Sequence, residues 1–345
     1  MRRFAALICL VALSSCAPAP PALSPEPSEA EAAVEWAIAI HGGAGVRRSH
    51  VSPEEEPSYR ESLSRALELG KGMLEGGATS LDVVESVLSV MEDDPHFNAG
   101  RGSVFTSEGT NEMDAAIMDG RDQNCGAVSG LTTIRNPIRL ARKVMEESRH
   151  VFLVGSGAEA FAAEQGLEQV PSEFFFDQKR HDQWREAVAH EEAVAAGTAD
   201  PGERPQDKLG TVGAVVLDRH GNLAAGNSTG GMTNKRFGRV GDVPVIGAGT
   251  FASNRSAAVA CTGVGEKFIR HTVARDVAAL VEFGGLDLEE AARRLLFDRL
   301  EAGDGGLVAV DRTGKLTLMF NSEGMFRGAA DSTGRFEVGI WPDGD

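Results

Sequence analysis

Gly210-Thr211-Val212-Gly213-Ala214-Val215-Val216 is the stretch that decides how the chain is read. An alternating, β-branched apolar run begins at a threonine. Upstream, Glu191 to Lys208 is rich in Ala, Glu, Asp, Pro and Gly and has no apolar periodicity, which predicts an exposed loop. Downstream, Asp218-Arg219-His220-Gly221-Asn222 predicts a tight turn, and Leu223 to Gly226 a second strand. Thr211 thus stands where a loop enters the first strand of a hairpin. If the Gly210–Thr211 bond were cut, Thr211 would own both a hydroxyl and a free α-amine. That amine, with a pKa near ~8, can act as the base that activates the hydroxyl. Taken alone, the four residues Gly210 to Gly213 would merely open a strand.

Composition narrows the class. An apolar fraction of 42% and a charged fraction of 25% are those of a soluble globular chain. Its 41 glycines and 6% aromatics favour a turn-rich α/β enzyme over a coiled coil or bundle. A net charge of −17 argues against a nucleic-acid partner. Residues 1–16 form a targeting segment: Arg2 and Arg3, then a short apolar core from Phe4 to Leu13. Leu13-Ser14-Ser15-Cys16 resembles a bacterial lipobox, which makes Cys16 the lipidated residue; ordinary signal-peptide cleavage nearby is the alternative. With Ala17 following it, the segment predicts an outer-membrane lipoprotein facing the periplasm. Residues 17–33 predict a disordered tether, and 34–345 a single domain. Cys125 and Cys261 could bridge, but the apolar run around Cys261 favours a buried free thiol.

Along the chain, Trp36 to His41 predicts a buried strand that turns at Gly42-Gly43-Ala44-Gly45. No Lys-Ser/Thr follows and the dinucleotide spacing is absent, so this glycine run is not a nucleotide loop. Helices are predicted over Tyr59–Leu69 and Ser80–Met91, the second capped by Ser80. Strands follow over Glu112–Gly120, Gly126–Thr133 and Val151–Val154, with helices from Pro137 to Met145 and Ala158 to Gln165. Later strands are predicted at Val245–Ala248 and Ala257–Cys261, and helices at Lys267–Phe283 and Leu288–Leu300. Gly306–Asp311 and Leu316–Phe320 form a closing hairpin.

Six blocks carry a resemblance: Ile38 to Gly45, Phe97-Asn98-Ala99-Gly100, Gly210 to Val215, Ser228 to Lys235, Gly238-Arg239-Val240-Gly241-Asp242, and Thr262-Gly263-Val264-Gly265-Glu266. In order and spacing they resemble the plant-type L-asparaginase and isoaspartyl peptidase family of N-terminal-nucleophile hydrolases. The resemblance implies an α+β fold, a four-layer αββα sandwich. It implies self-cleavage after Gly210 into an α chain and a β chain beginning at Thr211, and a dimer of such pairs.

By position, Thr211 is the implied nucleophile, with Thr229 orienting it. Thr262 and Gly263 are the implied oxyanion donors. Arg239 would grip the substrate α-carboxylate and Asp242 its α-ammonium, with Gly263 and Gly265 leaving room and Asn98 lying close by. No cofactor is implied for catalysis. Some members hold a structural sodium through backbone carbonyls, here those of Met91, Glu92, Asp94, Phe97, Ala99 and Arg101. The implied substrates are β-aspartyl dipeptides and asparagine. A glycosylasparaginase is the related alternative, and a surface lipoprotein using the fold as a binding scaffold is the non-enzymatic one. Val264 departs from the threonine frequent at its position.

Overall fold

Strand β1, Ala37–Ala44, shows how the sequence pattern builds the layers. Ile38 and Ile40 point one way, into a core shared with helices; Ala37 and Ala39 point the other way, into a second core. This alternation follows from the two-residue side-chain period of a strand. The protein is described by a computed structural model covering residues 33–200 and 210–342, which fall in one compact unit starting at Ala33. The targeting segment, Cys16 and most of the tether lie outside the described residues.

The first core is covered by α1 (Glu56–Glu75), α2 (Ser80–Glu92) and α3 (Pro137–Glu147). Leu63, Leu67 and Leu74 of α1 and Val83, Val84, Val87, Leu88 and Met91 of α2 recur at helical spacing and are fully buried. Thr79, not Ser80, caps α2: its hydroxyl accepts from the Asp82 N–H, while Ser80 donates its own N–H to Asp218. Strand β2 (Met113–Asp119) pairs with β3 (Cys125–Leu131). Gly126 lets α3 lie directly on β3, since a Cβ there would stand 1.9 Å from the Ala141 carbonyl. Strand β4 (Phe152–Val154) leads into α4 (Gly155–Glu164). It is the outermost strand, so Phe152 and Val154 are exposed.

The polar stretch before Thr211 begins as a helix. Strongly helix-forming Ala, Glu and Gln residues carry α5 over Gln178–Ala195, capped by Asp177, where a loop was expected from Glu191 onward. Then β5 (Val212–Leu217) and β6 (Leu223–Thr229) form the predicted hairpin. The region Val245–Ala248 is turns, and the strand expected there is instead β7, Thr250–Ala252. It pairs with β8, Ala257–Gly263.

One helix was expected from Lys267. Thr272 takes a left-handed backbone (φ 44°) and divides it into α6 (Gly265–His271) and α7 (Val273–Glu282). Helix α8 (Leu288–Arg293) runs on into a π-helical turn, Arg294–Arg299. After β9 (Gly305–Asp311) and β10 (Leu316–Phe320) comes a further hairpin, β11 (Met325–Asp331) and β12 (Phe336–Gly339), which sequence reading missed.

Among the described residues, eight strands form one sheet in the order β12-β11-β1-β5-β6-β2-β3-β4, and four form another in the order β10-β9-β8-β7. In the larger sheet, strands from before and after position 210 are interleaved. The second core lies where β1, β5 and β6 meet β8 and β9, with α7 and α8 beyond. The fold is α+β. Near His41 the register of β1 shifts at a bulge, so the glycine run that was expected to turn continues as strand to Ala44.

Candidate active site

Thr211 sits one residue before β5 and is 8% exposed. Its hydroxyl donates to the hydroxyl oxygen of Thr229 at 3.1 Å. Thr229 ends β6, the hairpin partner of β5, so the short Asp218–Asn222 turn is what brings the two threonines together. The Thr229 oxygen also accepts the Gly231 N–H at 3.0 Å. Gly231 is the point where the predicted pieces meet. Its carbonyl accepts from the Asn98 side-chain amide at 2.8 Å, and a Cβ on it would lie 3.5 Å from Nη1 of Arg239.

Asn98 is held from its other end by the Val104 N–H, at 3.0 Å. It packs on Gly210: a Cβ there would stand 3.0 Å from the Asn98 Cβ. Asn98 therefore borders the Gly210–Thr211 peptide bond. Thr262 and Gly263 end β8, and the Thr262 hydroxyl accepts the Ala44 N–H at 3.2 Å, joining that end to the end of β1.

Arg239 and Asp242 do not pair with each other in a hydrogen-bonded fork. Arg239 places Nε and Nη2 on the two carboxylate oxygens of Glu266, at 3.0 and 2.9 Å. Asp242 is buried, and its Oδ2 has no hydrogen-bond partner among the described residues. Burial raises its pKa to about 7, against the pull of the Arg239 charge. An unpaired buried carboxylate is costly, and an ammonium group is what would complete it. Gly265 is where the two meet: a Cβ there would lie 2.8 Å from Nη2 of Arg239 and 3.0 Å from Oδ1 of Asp242.

Four residues of this neighbourhood were missed as individuals. Glu266 stood in a quoted block but was given no part. Lys235 is buried, donates to the Glu112 carbonyl at 2.8 Å, and has its pKa lowered by that burial. His41 lies against Thr211 itself, its Nδ1 2.9 Å from the Thr211 carbonyl. Arg180 on α5 is buried and donates to the carbonyls of Gly102 and His96, fastening the loop that carries Asn98. Sequence offers a signal only for His41, an imidazole closing a buried strand; α5 lacks a clear apolar stripe, so Arg180 had none.

Met91 and Glu92 end α2, and the loop after it contains Asp94, Phe97, Ala99 and Arg101. It curls back on itself: Gly100 takes φ 51° and passes so close to Glu92 that a Cβ would lie 2.4 Å from its carbonyl. The Asp94 and Ala99 carbonyls each accept one N–H, from Phe97 and Gly102. A second lone pair remains on each. Hard oxygen donors of this kind suit a sodium ion. Among the described residues there is no cluster of His, Cys, Asp and Glu side chains suited to a transition metal. Cys125 and Cys261 are free, and Cys261 is buried.

A family sequence model described as asparaginase matches residues 34–340. An isoaspartyl peptidase of Escherichia coli (strain K12) is 50% identical over 293 residues, covering 84% of this chain and 91% of its own. A probable isoaspartyl peptidase/L-asparaginase of Arabidopsis thaliana is 46% identical, covering 89% and 99%. The isoaspartyl peptidase/L-asparaginase of Homo sapiens is 40% identical, covering 89% and 96%. These findings correct the expected outer-membrane address. The shared region begins after Cys16, and relatives from a bacterium, a plant and a mammal bear names of peptidases and asparaginases, none of a lipoprotein. Among the described residues, no helix is long and apolar enough to cross a membrane.

Proposed function

The chain belongs to the asparaginase family and is a hydrolase, and from that premise we propose that Thr211 cleaves β-aspartyl amides after the chain has cut itself before that residue. Its substrates are β-aspartyl peptides and asparagine. The observation that carries the reading is the Thr211–Thr229 hydroxyl pair at 3.1 Å, at a residue whose preceding glycine rests on Asn98. In the continuous chain the Thr211 nitrogen belongs to a peptide bond. Once that bond is cut, the nitrogen becomes an amine able to take the proton of its own hydroxyl.

The head group of the substrate lies between Arg239 and Asp242, carboxylate to the first and ammonium to the second. Glu266 occupies one edge of the Arg239 fork, which leaves the Nη1 end for the substrate. The side-chain amide carbonyl then meets the Thr211 hydroxyl. Attack forms a tetrahedral oxyanion, and donors at Thr262 and Gly263 stabilise it by about 3–4 kcal/mol each. The amine leaves with the proton, as ammonia from asparagine or as the next amino acid from a peptide. Water hydrolyses the remaining β-aspartyl ester.

Three finer readings go with this. The two packed sheets, with α1–α3 on one outer side and α7–α8 on the other, support a four-layer αββα sandwich. The carbonyls of the 91–101 loop would hold a sodium ion that stiffens the Asn98 segment. The working assembly is a dimer of cleaved pairs. Intact mass measurement together with turnover of β-aspartyl-leucine and asparagine tests the central reading. The expected result is two fragments that part at 210/211 and an active preparation; activity in a wholly uncut chain would overturn it.

A further inference from the structure

His41, Gly213 and Asn227 are direct register partners on three neighbouring strands, β1, β5 and β6. The middle position is open. A Cβ on Gly213 would stand 2.1 Å from Nε2 of His41 and 2.2 Å from Oδ1 of Asn227, so only glycine fits. Across the gap the imidazole and the amide approach to 3.1 Å. Asn227 donates its amide hydrogens onward to the Gly249 carbonyl at 2.9 Å and the Thr250 hydroxyl at 2.7 Å. The Thr250 hydroxyl donates to the Val243 carbonyl, and the Gly249 N–H to the Asp242 carbonyl, both at 3.1 Å. A buried chain of polar contacts therefore runs from the carbonyl of Thr211 to the backbone around Asp242. His41, Asn227 and Thr250 are fully shielded from solvent.

Thr211 needs such a hold. It lies just outside the strand, and a cut would leave it a chain terminus with no peptide on its amino side. Chain ends fray unless tied down. Amine and hydroxyl both hang from the Thr211 Cα, whose place is set by the peptide group that follows it. A hydrogen bond to the Thr211 carbonyl holds that group, and catalytic groups must be held within about 0.5 Å.

Burial lowers the His41 pKa to about 4, so the ring is neutral near pH 7 and bears one N–H. Two oxygens flank it, and the Thr211 carbonyl is the nearer. We propose that His41 is a positioning residue of the hydrolysis, its Nδ1–H fixing the Thr211 carbonyl, with Gly213 leaving the ring its room between β1 and β6. This rests on the reading that Thr211 acts with a free amine. An uncut active wild type would sink that reading before any His41 variant is made.

The test replaces the ring by amides that mimic one nitrogen at a time. His41→Asn keeps a donor near the Nδ1 position, and His41→Gln keeps one near Nε2. In the cleaved fraction of each variant, His41→Gln should lose roughly tenfold or more in kcat. His41→Asn should lose clearly less, and KM for asparagine and β-aspartyl-leucine should stay within about twofold in both. Equal losses in the two variants, or a loss confined to KM, would overturn the proposal. If neither variant folds or cuts, the nitrogen NMR spectrum of imidazole-labelled wild type decides. The ring that does not titrate above pH 5 should be the Nδ1–H tautomer; an Nε2–H tautomer refutes the assignment.

Discussion

Arg239 closes one edge of its guanidinium on Glu266, through contacts of 3.0 and 2.9 Å, and keeps Nη1 turned towards Gly231 and Gly241. The fork is thus held flat before any substrate arrives. Glu266 is kept below its ordinary pKa, chiefly by the hydrogen bonds from Arg239, so it stays a carboxylate at working pH. Arginine suits this place because its rigid fork can serve two carboxylates at once, where an ammonium would be a single point of charge.

Arg239→Ala should leave self-cleavage intact, since its guanidinium bonds Glu266 and neither Thr211 nor Thr229. It should cost about 1.5–3 kcal/mol in kcat/KM, or roughly 10- to 150-fold, mostly as raised KM. Steady-state kinetics on the cleaved protein checks this, and an unchanged KM would remove Arg239 from the clamp.

Thr211→Ala should give a single uncut chain with activity lowered by at least about 10⁴-fold. Thr211→Ser should still cut and retain measurable turnover, because it keeps both hydroxyl and amine. Gel mobility and intact mass read the outcome; an alanine variant that splits at 210/211 would defeat the assignment.

Thr229→Val removes the oxygen that accepts the hydrogen bond of the Thr211 hydroxyl and leaves the Gly231 N–H without its partner. A fall of about 10- to 100-fold in kcat is expected, with Thr229→Ser restoring most of it. If valine is tolerated as well as serine, the hydroxyl pair has no part in the reaction.

Binding of an ammonium group requires Asp242 to be ionised. With its pKa raised to about 7 by burial, its ionised fraction falls about tenfold between pH 8 and pH 6. KM for asparagine should rise by about that factor over the same range. Asp242→Asn should show a high KM that is flat with pH. A flat profile in the wild type would show that Asp242 does not meet the ammonium.

His41 makes a separate prediction about stability. Its pKa is lowered to about 4 in the folded protein by burial, against an ordinary 6.5. Above pH 6.5 the ring is neutral in both states and contributes no pH dependence. As pH falls from 6.5 towards 4 the unfolded chain takes the proton first, and about 3 kcal/mol of stability is lost. Denaturation midpoints at pH 7.5 and 4.5 should differ by less in His41→Gln than in the wild type.

Much of the site was legible because it follows the chain. Thr211 and Thr229 are joined by one tight hairpin, and alternation in Val212–Val216 and Leu223–Gly226 announces both strands. Arg239 and Asp242 stand in a short glycine-marked loop beside it. What escaped depends on long-range pairing. Which nitrogen of His41 meets Thr211 follows from the order of β1, β5 and β6, and the choice of Glu266 over Asp242 as the partner of Arg239 follows from how α6 starts. Helix α5 was hidden because its polar sequence lacks an apolar stripe, and the β11–β12 hairpin because its small residues carry little hydrophobic pattern. The opening segment misled: an apolar run and a cysteine at the start of the chain look alike whether or not they direct it to an envelope.

Strands β1 to β4 precede position 210 and β5, β6, β11 and β12 follow it, yet they alternate within one sheet. A cut at that position therefore yields two polypeptides that cannot part without unzipping hydrogen-bonded ladders on both sides of β1. Synthesis as one molecule lets the strands find each other at unit stoichiometry, with the loop as a tether. Produced from two separate genes, the halves would have to meet by diffusion, and the yield of sheet would depend on concentration. The covalent link serves assembly, and a cut made afterwards would leave the paired strands in place.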